Sequence, residues 1–207
     1  YARDMVARFG LHPGDLVVDV GSNDGTLLRF FKRAGMRVLG VDPAKRIAEQ
    51  ASANGIETVC AFFDQGTAEQ ILAAHGPAAL VLANNVFAHA DDLSEIAAGV
   101  RNLLDPQGGH FVFEVQYLVD MVEKTLFDMV YHEHLSYHSL EPLLPFFDSL
   151  GMSVVDVHAV GTHGGSIRVT VRPGSGVQGS EGLARSLAHE RAALAGDPFG
   201  AMLGRIE

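Results

Sequence analysis

The sequence has one cysteine, few basic residues and no long apolar run, and each shortage excludes a class of protein. The single cysteine, Cys60, excludes an internal disulfide framework and fits a cytoplasmic protein. The 15 lysines and arginines are scattered and outnumbered by 25 acidic residues, so we expect neither nucleic acid nor a membrane as partner. No apolar stretch approaches the ~20 residues of a membrane span. The 207 residues, 47% of them hydrophobic, suffice for one sizeable α/β domain.

The glycine pattern of dinucleotide-binding proteins is also missing. Residues 16–25, LVVDVGSNDG, are an apolar run that ends in Asp19 and turns through Gly21 and Gly25 before a helical pattern begins. This order predicts a strand, a tight turn and a helix start, the unit on which nucleotide-like cofactors bind. The glycines are spaced Gly-x-x-x-Gly rather than Gly-x-Gly-x-x-Gly. Because Asp19 at the strand end can meet a cationic ligand, the loop favours S-adenosylmethionine (SAM) over a pyrophosphate.

Strand and helix patterns alternate along the first half of the chain. Strands are predicted over residues 16–20, 37–41, 57–62, 79–83 and 109–115, and helices over residues 27–34, 46–54, 68–75 and 93–104. This alternation predicts a parallel sheet with helices on both faces. We expect Cys60, inside the third strand, to be a small buried residue.

The second half ends differently, with a predicted helix over residues 140–150 and two strands over residues 153–159 and 166–172. A dehydrogenase would continue with a sixth parallel strand. The ending instead predicts an α/β protein of the class I SAM-dependent methyltransferase (Rossmann-like) fold, a mostly parallel seven-stranded sheet with a closing antiparallel hairpin. Residues 1–173 are predicted to be the SAM-binding methyltransferase domain, and residues 174–207 a connector and a helix that leads out of it.

Polar and aromatic residues follow the first four predicted strands, where ligands of open α/β sheets bind. Asp42 is placed for the ribose hydroxyls, residues 62–64 (Phe-Phe-Asp) for adenine and residues 84–85 (Asn-Asn) for the methionine part of SAM. The alternative is structural, since strand-end Asp and Asn often cap the next helix and either phenylalanine fits a core. The four strand ends together favour a cofactor site of Asp19, Gly21, Asn23, Gly25, Asp42, Pro43, Phe63, Asp64 and Asn84.

A histidine-rich segment, residues 128–138 (DMVYHEHLSYH), lies between the fifth strand and the late helix. It supplies groups that titrate near neutral pH, and His89 after the fourth strand is expected to point into the same cleft. Three interpretations remain open: a polar surface loop, a general acid/base set for a substrate beside SAM, or a metal site of four residues. That metal site would use His132, Glu133, His134 and His138, but the His-Glu-x-x-His spacing is absent, and we predict no metal.

These motifs together resemble the sugar C-methyltransferases. The resemblance rests on residues 19–28 (DVGSNDGTLL), 40–43 (GVDP), 85–89 (NVFAH), 113–115 (FEV), 131–134 (YHEH) and 163–166 (HGGS). It implies an enzyme that uses SAM to methylate C3 of a nucleotide-linked 4-keto-deoxysugar, usually dTDP-linked, in antibiotic biosynthesis. Members of this family also carry an N-terminal Cys-rich zinc module and a C-terminal Rossmann-like domain, so this chain is expected to be a fragment that lacks both.

The resemblance also assigns roles at the reacting sugar. It implies that Tyr131, His134 and His89 lie at the sugar, with Glu133 alongside them. A C–H bond next to a ketone is acidic only because its anion is an enolate, so a base must remove the proton while donors hold the oxyanion. We interpret His134 as the base, or as a relay of the proton through water. Tyr131 and His89 are then hydrogen-bond donors to the ketone oxygen, and Glu133 sets a histidine's tautomer and raises its basicity. The choice of base among His134, His89 and Tyr131 stays open.

Four further residues are candidates for substrate binding, each with a structural alternative. Gln116 and Tyr117 follow the fifth strand, where they either contact the sugar or begin the next helix. His163 and Gly164 lie in a predicted hairpin turn, where Gly-Gly is also an ordinary turn signal. Other functions remain as alternatives: a small-molecule O- or N-methyltransferase, a nicotinamide oxidoreductase, and a SAM-binding domain that is inactive in isolation.

Overall fold

The computed structural model describes residues 1–132 and 134–206. Its chain divides into two compact units. The first unit comprises residues 1–84 and 92–112, and the second comprises residues 85–91 and the described residues from 113 onward.

The first unit contains strands alternating with helices. In chain order its elements are α1 (Ala2–Phe9), β1 (Leu16–Val20), α2 (Thr26–Arg33), β2 (Arg37–Val41), α3 (Lys45–Ala53), β3 (Thr58–Val59), α4 (Gln65–His75), β4 (Leu80–Asn84), α5 (Leu93–Leu103) and the start of β5 (His110–Gln116). Strand β1 pairs in parallel with β2 on one side and β4 on the other, and β2 pairs in parallel with β3. All five residues of β1 are buried, as a central parallel strand requires.

Apolar side chains from α1, α2 and the strands form the core of this unit. Leu28 and Phe31, one turn apart on α2, are fully buried with Met5 of α1 and Leu80 and Leu82 of β4. The burial follows from the helical period, which puts residues three apart on one face. This packing fixes α2, and therefore the loop that precedes it, against the carboxyl end of β1.

The second unit contains the rest of β5 and an antiparallel hairpin. Its other elements are α6 (Leu118–Glu123), α7 (Leu140–Ser149), β6 (Met152–Val160), β7 (Ser166–Pro173), α8 (Glu181–Ala193) and α9 (Pro198–Leu203), with short 3-10 turns at Phe87–His89, Phe127–Met129 and Thr162–Gly164. The hairpin register runs from Met152 opposite Pro173 to Val160 opposite Ser166, with one irregularity between Val154 and Asp156.

The strand order is β3-β2-β1-β4-β5-β7-β6. Strand β5 is shared by both units, because the first unit ends at residue 112 and the second resumes at residue 113. This order, with parallel pairs in the first unit and the antiparallel β6–β7 pair last, confirms the predicted seven-stranded methyltransferase fold. Strands β1 and β2 have the predicted bounds, and most other elements differ from prediction by one to three residues at each end.

Two local predictions about the third strand were wrong. Strand β3 contains only Thr58 and Val59 instead of residues 57–62. Cys60 therefore lies beyond the strand and is exposed rather than buried. The apolar run at 59–63 was misleading because its burial is not continuous: Phe62 is exposed and Phe63 is buried. The helices α1, α6 and α9 were not predicted.

Helix α8 packs against β6 and α7 in the second unit. The predicted boundary at residue 173 stays a prediction, although the second compact unit continues through the described residues beyond it. Among residues 1–132 and 134–206, no helix has the length and apolar character needed to cross a membrane.

Candidate active site

The loop after β1 adopts a backbone that favours glycine. Gly21, Asn23 and Gly25 have φ of 71°, 50° and 73°, a left-handed region that L side chains seldom adopt. A Cβ at Gly25 would also lie 2.9 Å from the Ile56 side chain. Asn23 tolerates this conformation because its Oδ1 accepts a hydrogen bond from the Asp24 backbone N–H at 2.8 Å. The turn is therefore tight, with Gly21 and Asn23 exposed and Gly25 buried.

Asp42 joins this loop to the end of β2. Its Oδ2 accepts from the Asn23 backbone N–H and its Oδ1 from the Ala44 backbone N–H, each at 2.9 Å. A carboxylate oxygen can accept two hydrogen bonds, so each oxygen retains capacity for a ligand hydroxyl. Asp42 thus orders the site and can still bind ribose. Pro43, the next residue, is exposed.

Asp19 is a buried carboxyl group near a second one. Only 4% of its surface is exposed. Burial, and next the negative charge of Asp42, raise the pKa of Asp19 to about 7. Both causes act by disfavouring the anion. A cation at this strand end would reverse that penalty, which makes the site electrostatically suited to a cationic ligand.

Three neighbouring residues after β3, at positions 62–64, have different surroundings. Phe63 is buried, and its ring lies 3.1 Å from where a Cβ on Gly99 would be. Phe62 is 78% exposed. Asp64 accepts from the Thr67 backbone N–H at 2.7 Å, which caps α4 and lowers the pKa of Asp64. The structural alternative therefore accounts for Phe63, and Phe62 presents the exposed ring.

Asn84, at the end of β4, is hydrogen-bonded to Tyr1. The Tyr1 hydroxyl donates to Asn84 Oδ1 at 3.1 Å. Sequence reasoning missed this contact because the two residues are far apart in the chain and no local pattern links them. The nine predicted cofactor residues thus all lie in the first unit, at or after the ends of its strands.

The catalytic candidates lie in the second unit, around a cavity with a volume of about 50 Å³. The cavity is lined by Asn85, Ala88, His89, Val115, Gln116, Tyr131, His134 and His163. Three of the four predicted catalytic residues are therefore brought together. The fourth, Glu133, lies outside the described residues.

Tyr131 and His134 form a hydrogen-bonded pair. The Tyr131 hydroxyl and His134 Nε2 are 2.8 Å apart, and their ring centroids are 4.2 Å apart. A turn places them together, since the His134 backbone N–H donates to the Tyr131 carbonyl at 3.1 Å. The His89 ring centroid lies 5.0 Å from that of His134. A hydroxyl bonded to an imidazole that touches a second imidazole can transfer or relay a proton.

The histidine-rich segment is held against the turn that carries His89. The Leu135 backbone N–H donates to the Ala88 carbonyl at 2.7 Å. His138, by contrast, is buried beside Phe87, and its Nε2 is 3.0 Å from Ser136 Oγ. Burial lowers the pKa of His138, with His134 nearby as a smaller cause of the same sign. His138 is therefore a neutral structural residue, and His132 is exposed. Among the described residues no three His, Cys, Asp or Glu side chains are grouped to hold a metal ion.

The turn between β6 and β7 brings His163 to the cavity in a left-handed conformation, with φ of 53°. The glycines beside it are required by close approaches: a Cβ on Gly164 would lie 2.7 Å from Leu126, and one on Gly165 would collide with Asp120. Tightly packed glycines therefore position a histidine that lines the cavity, and substrate contact by His163 and Gly164 stays a prediction.

Buried Glu114 anchors this turn, a contact that sequence reasoning missed. Its Oε1 accepts from Thr162 Oγ1 and its Oε2 from Arg168 Nη2, each at 2.7 Å. The acidic residue inside the apolar strand β5 was the available signal, since a buried carboxylate needs charged or polar partners.

The last two candidates, Gln116 and Tyr117, face different surroundings. Gln116 is buried and lines the cavity. The Tyr117 hydroxyl donates to Glu190 Oε2 at 2.9 Å, and burial, followed by this bond, raises the pKa of Tyr117. Tyr117 is not among the cavity residues, and its hydroxyl has a structural partner.

The fold and the strand-end loop define the class of protein. A family model described as "Methyltransferase domain" matches residues 1–157. The chain therefore belongs to the methyltransferase-domain family. It is 48% identical over 168 residues to the C-methyltransferase NovU of Streptomyces niveus, covering 81% of this chain and 40% of NovU.

A second relative is the ubiquinone biosynthesis O-methyltransferase of Ralstonia nicotianae, 30% identical over 102 residues, which cover 48% of this chain and 42% of that protein. The chain thus matches well under half the length of either relative.

Solved structures share the fold at lower identity. The SAH-bound magnesium protoporphyrin IX methyltransferase of Synechocystis superposes with a TM-score of 0.61 at 18% identity, covering 82% of this chain and 78% of that one. CalO1, a methyltransferase in calicheamicin biosynthesis with SAH bound, superposes with a TM-score of 0.60 at 16% identity. The match covers 83% of this chain and 54% of CalO1. At these identities the likeness concerns the fold alone.

Proposed function

We propose that this domain is a SAM-dependent C-methyltransferase that acts on a nucleotide-linked keto-deoxysugar. In this proposal the sugar loses a proton next to its ketone and the resulting enolate carbon accepts the methyl group in line. The observation that carries the proposal is the Tyr131–His134 hydrogen bond of 2.8 Å beside His89, which provides a proton acceptor where a carbon acid would need one. The 48% identity to a protein described as a C-methyltransferase supports it.

The first unit fits SAM by its chemistry. Carboxyl groups lie at the ends of β1 and β2 (Asp19 and Asp42) and in the loop after β3 (Asp64), and SAM carries a sulfonium and an ammonium. The left-handed turn leaves Gly21 and Asn23 exposed, and the exposed ring of Phe62 is available to the adenine. When bound, SAM supplies an electrophilic methyl group whose C–S bond electrons leave with the sulfur, which gives SAH.

The second unit supplies the proton chemistry. The sugar C–H proton passes to His134 Nε2, either directly or through the Tyr131 oxygen, whose own proton then moves to His134. The electrons of the C–H bond move into the enolate, whose oxygen accepts a hydrogen bond from His89. Gln116 and His163 line the same cavity and contact the sugar. Glu133 is proposed to set a histidine tautomer. The buried Tyr117 hydroxyl is left out of the substrate set, since it already donates to Glu190.

The test uses this chain with SAM carrying a ¹³C-methyl group and a dTDP-linked 4-keto-6-deoxyhexose. The expected product gains one methyl group by mass spectrometry and shows a new carbon–carbon bond by NMR. A carbon–oxygen or carbon–nitrogen bond would instead establish an O- or N-methyltransferase, and the similarity to the O-methyltransferase keeps that alternative in view. SAH binding without any turnover would establish a binding domain inactive in isolation.

The role of His134 is tested by His134→Gln. Loss of a general base is expected to lower turnover at saturating SAM by ~10²–10⁴-fold, while SAH affinity, measured by calorimetry, stays unchanged. His158→Gln is the matched control, since His158 lies half-exposed on β6 and does not line the cavity that contains His134. Near-normal turnover in His134→Gln would refute the assignment of the base.

A further inference from the structure

Gln116 presents an unsatisfied amide to the cavity. It is the last residue of β5, and 6% of its surface is exposed. Within the part of the chain that the structure describes, neither its Nε2 nor its Oε1 has a hydrogen-bond partner. Burying a polar group without a partner is unfavourable, and here two such atoms share one side chain. An amide held in this way indicates a ligand that satisfies it.

The other groups in the cavity limit what the amide does. Tyr131 and His134 are already paired with each other, and together with His89 and His163 they supply the groups that can move a proton. An amide does not titrate in the physiological range, so Gln116 serves recognition rather than proton transfer. The cavity volume of about 50 Å³ accommodates a few water molecules, so only one edge of a sugar ring can enter it.

The amide needs two different partners that are neighbours. Its NH₂ group requires an acceptor and its oxygen requires a donor, and both are bonded to the same carbon. A ketone oxygen supplies the acceptor, and a hydroxyl on the adjacent carbon supplies the donor. Accordingly, we propose that Gln116 is a specificity-determining residue, whose amide binds the ketone oxygen of the sugar and the hydroxyl on the adjacent carbon together. This inference rests on the proposed function and names the residue that distinguishes sugars with this hydroxyl from those without it.

The test compares two sugars in two proteins. The probes are a dTDP-linked 4-keto-6-deoxyhexose and its analogue with hydrogen in place of the C3 hydroxyl. Their dissociation constants are measured by calorimetry at saturating SAH in the unmodified chain and in Gln116→Met. The unmodified chain is expected to bind the deoxy analogue about 10- to 100-fold more weakly, because its buried amide oxygen is left unpaired. Gln116→Met is expected to discriminate by less than about 3-fold.

Stability separates this role from a structural one. An amide unpaired in the free protein loses no bond when methionine replaces it, so the melting temperature of Gln116→Met should stay level or rise. Gln116→Glu, which keeps an acceptor and loses the NH₂ donor, is the second variant if the first does not fold. Gln70→Met, on the exposed surface of α4, makes the same chemical change away from the cavity.

Several outcomes would overturn the inference: equal discrimination in Gln116→Met and the unmodified chain, no binding of either sugar, or weaker SAH binding by Gln116→Met without sugar. Each would assign the amide to water, to structure or to the cofactor. Discrimination in binding without methylation in the turnover assay would instead refute the proposed reaction and leave the recognition by Gln116 intact.

Discussion

The carboxyl groups of the first unit are of two kinds: some accept hydrogen bonds that order the backbone, and one is buried with a raised pKa. Asp24 and Asp64 accept from backbone N–H groups at the starts of α2 and α4. Hydrogen bonds from the side chain and then the backbone of Thr26 lower the pKa of Asp24, and the backbone N–H of Thr67 lowers the pKa of Asp64. Asp42 accepts hydrogen bonds from two backbone N–H groups. Asp19 differs from them, since burial has moved its pKa upward into the physiological range. A side chain in that state responds to both pH and a cation.

Asp19 therefore predicts a pH dependence of cofactor binding. Its pKa of about 7 means that the free protein holds a proton there below that pH. A cationic ligand favours the ionised form, so SAM affinity should rise with pH up to about 7 and level off above it, with a slope approaching ten-fold per unit. Calorimetry across pH 5.5–8.5 measures this, and Asp19→Asn should bind weakly with a flatter profile. A pH-independent affinity in the unmodified chain would contradict it.

The same group makes the opposite contribution to stability without cofactor. A carboxyl whose pKa is raised on folding stabilises the protein fully below its unfolded value of about 3.8, and this contribution is lost as pH rises through about 7. The free energy of unfolding should therefore decline across that range relative to Asp19→Asn, as measured by urea titration.

At the scale of elements, Glu190 connects α8 to the start of α7. Its Oε2 accepts from the Leu140 backbone N–H at 2.6 Å as well as from Tyr117, and its Oε1 accepts from the Glu141 backbone N–H at 2.7 Å. It thus satisfies N–H groups that a helix leaves unpaired at its first turn. A residue near the end of one helix serves as the cap of another.

Removing this carboxylate should destabilise the second unit. Glu190→Ala is expected to lower the free energy of unfolding by about 2–4 kcal/mol, because two helix N–H groups and a buried hydroxyl lose their acceptor. Tyr117→Phe, which removes one of the three bonds, should lose about 1 kcal/mol. Urea unfolding measures both. Glu181→Ala is the control, since its side chain is 96% exposed on the same helix and should change little. An equal effect of the two Glu→Ala variants would argue against the cap.

The sequence predicted most elements because each has a local cause. Strand β1 is buried throughout and β2 is buried over its last three residues. Both are mainly apolar runs followed by turn residues, and their bounds were predicted correctly. Helix α6 was missed because its apolar residues follow β5 with only Tyr117 between them. For residues 57–62 the composition was apolar, but only Thr58 and Val59 have a partner strand, and pairing is a tertiary property.

At the scale of the molecule, the candidate cofactor residues lie in one compact unit and the acid/base cavity in the other. Methyl transfer requires a complex that holds cofactor and sugar together, so binding of each should be measured in the presence of the other. The chain spans 40% of the length of NovU.

The cofactor assignment predicts a selective thermal shift. A ligand that binds only the folded chain stabilises it by RT ln(1 + [L]/Kd), about 2.7 kcal/mol at one hundred times Kd. SAH should therefore raise the melting temperature by several degrees, whereas NAD should not, because the glycine spacing does not suit a pyrophosphate. Differential scanning fluorimetry with both compounds measures this. A shift with NAD alone would favour the oxidoreductase alternative.

The sequence by itself determined the order of strands and helices, the glycine turn after β1 and the chemical types of the candidate site residues, because these depend on residues close together in the chain. Only the tertiary structure decided which of two adjacent phenylalanines is exposed, that Tyr117 bonds Glu190, and that Gln116 is buried without a partner. Those outcomes depend on contacts between residues distant in sequence. Local periodicity carries no information about such contacts, since it is set by the backbone and not by what packs against it.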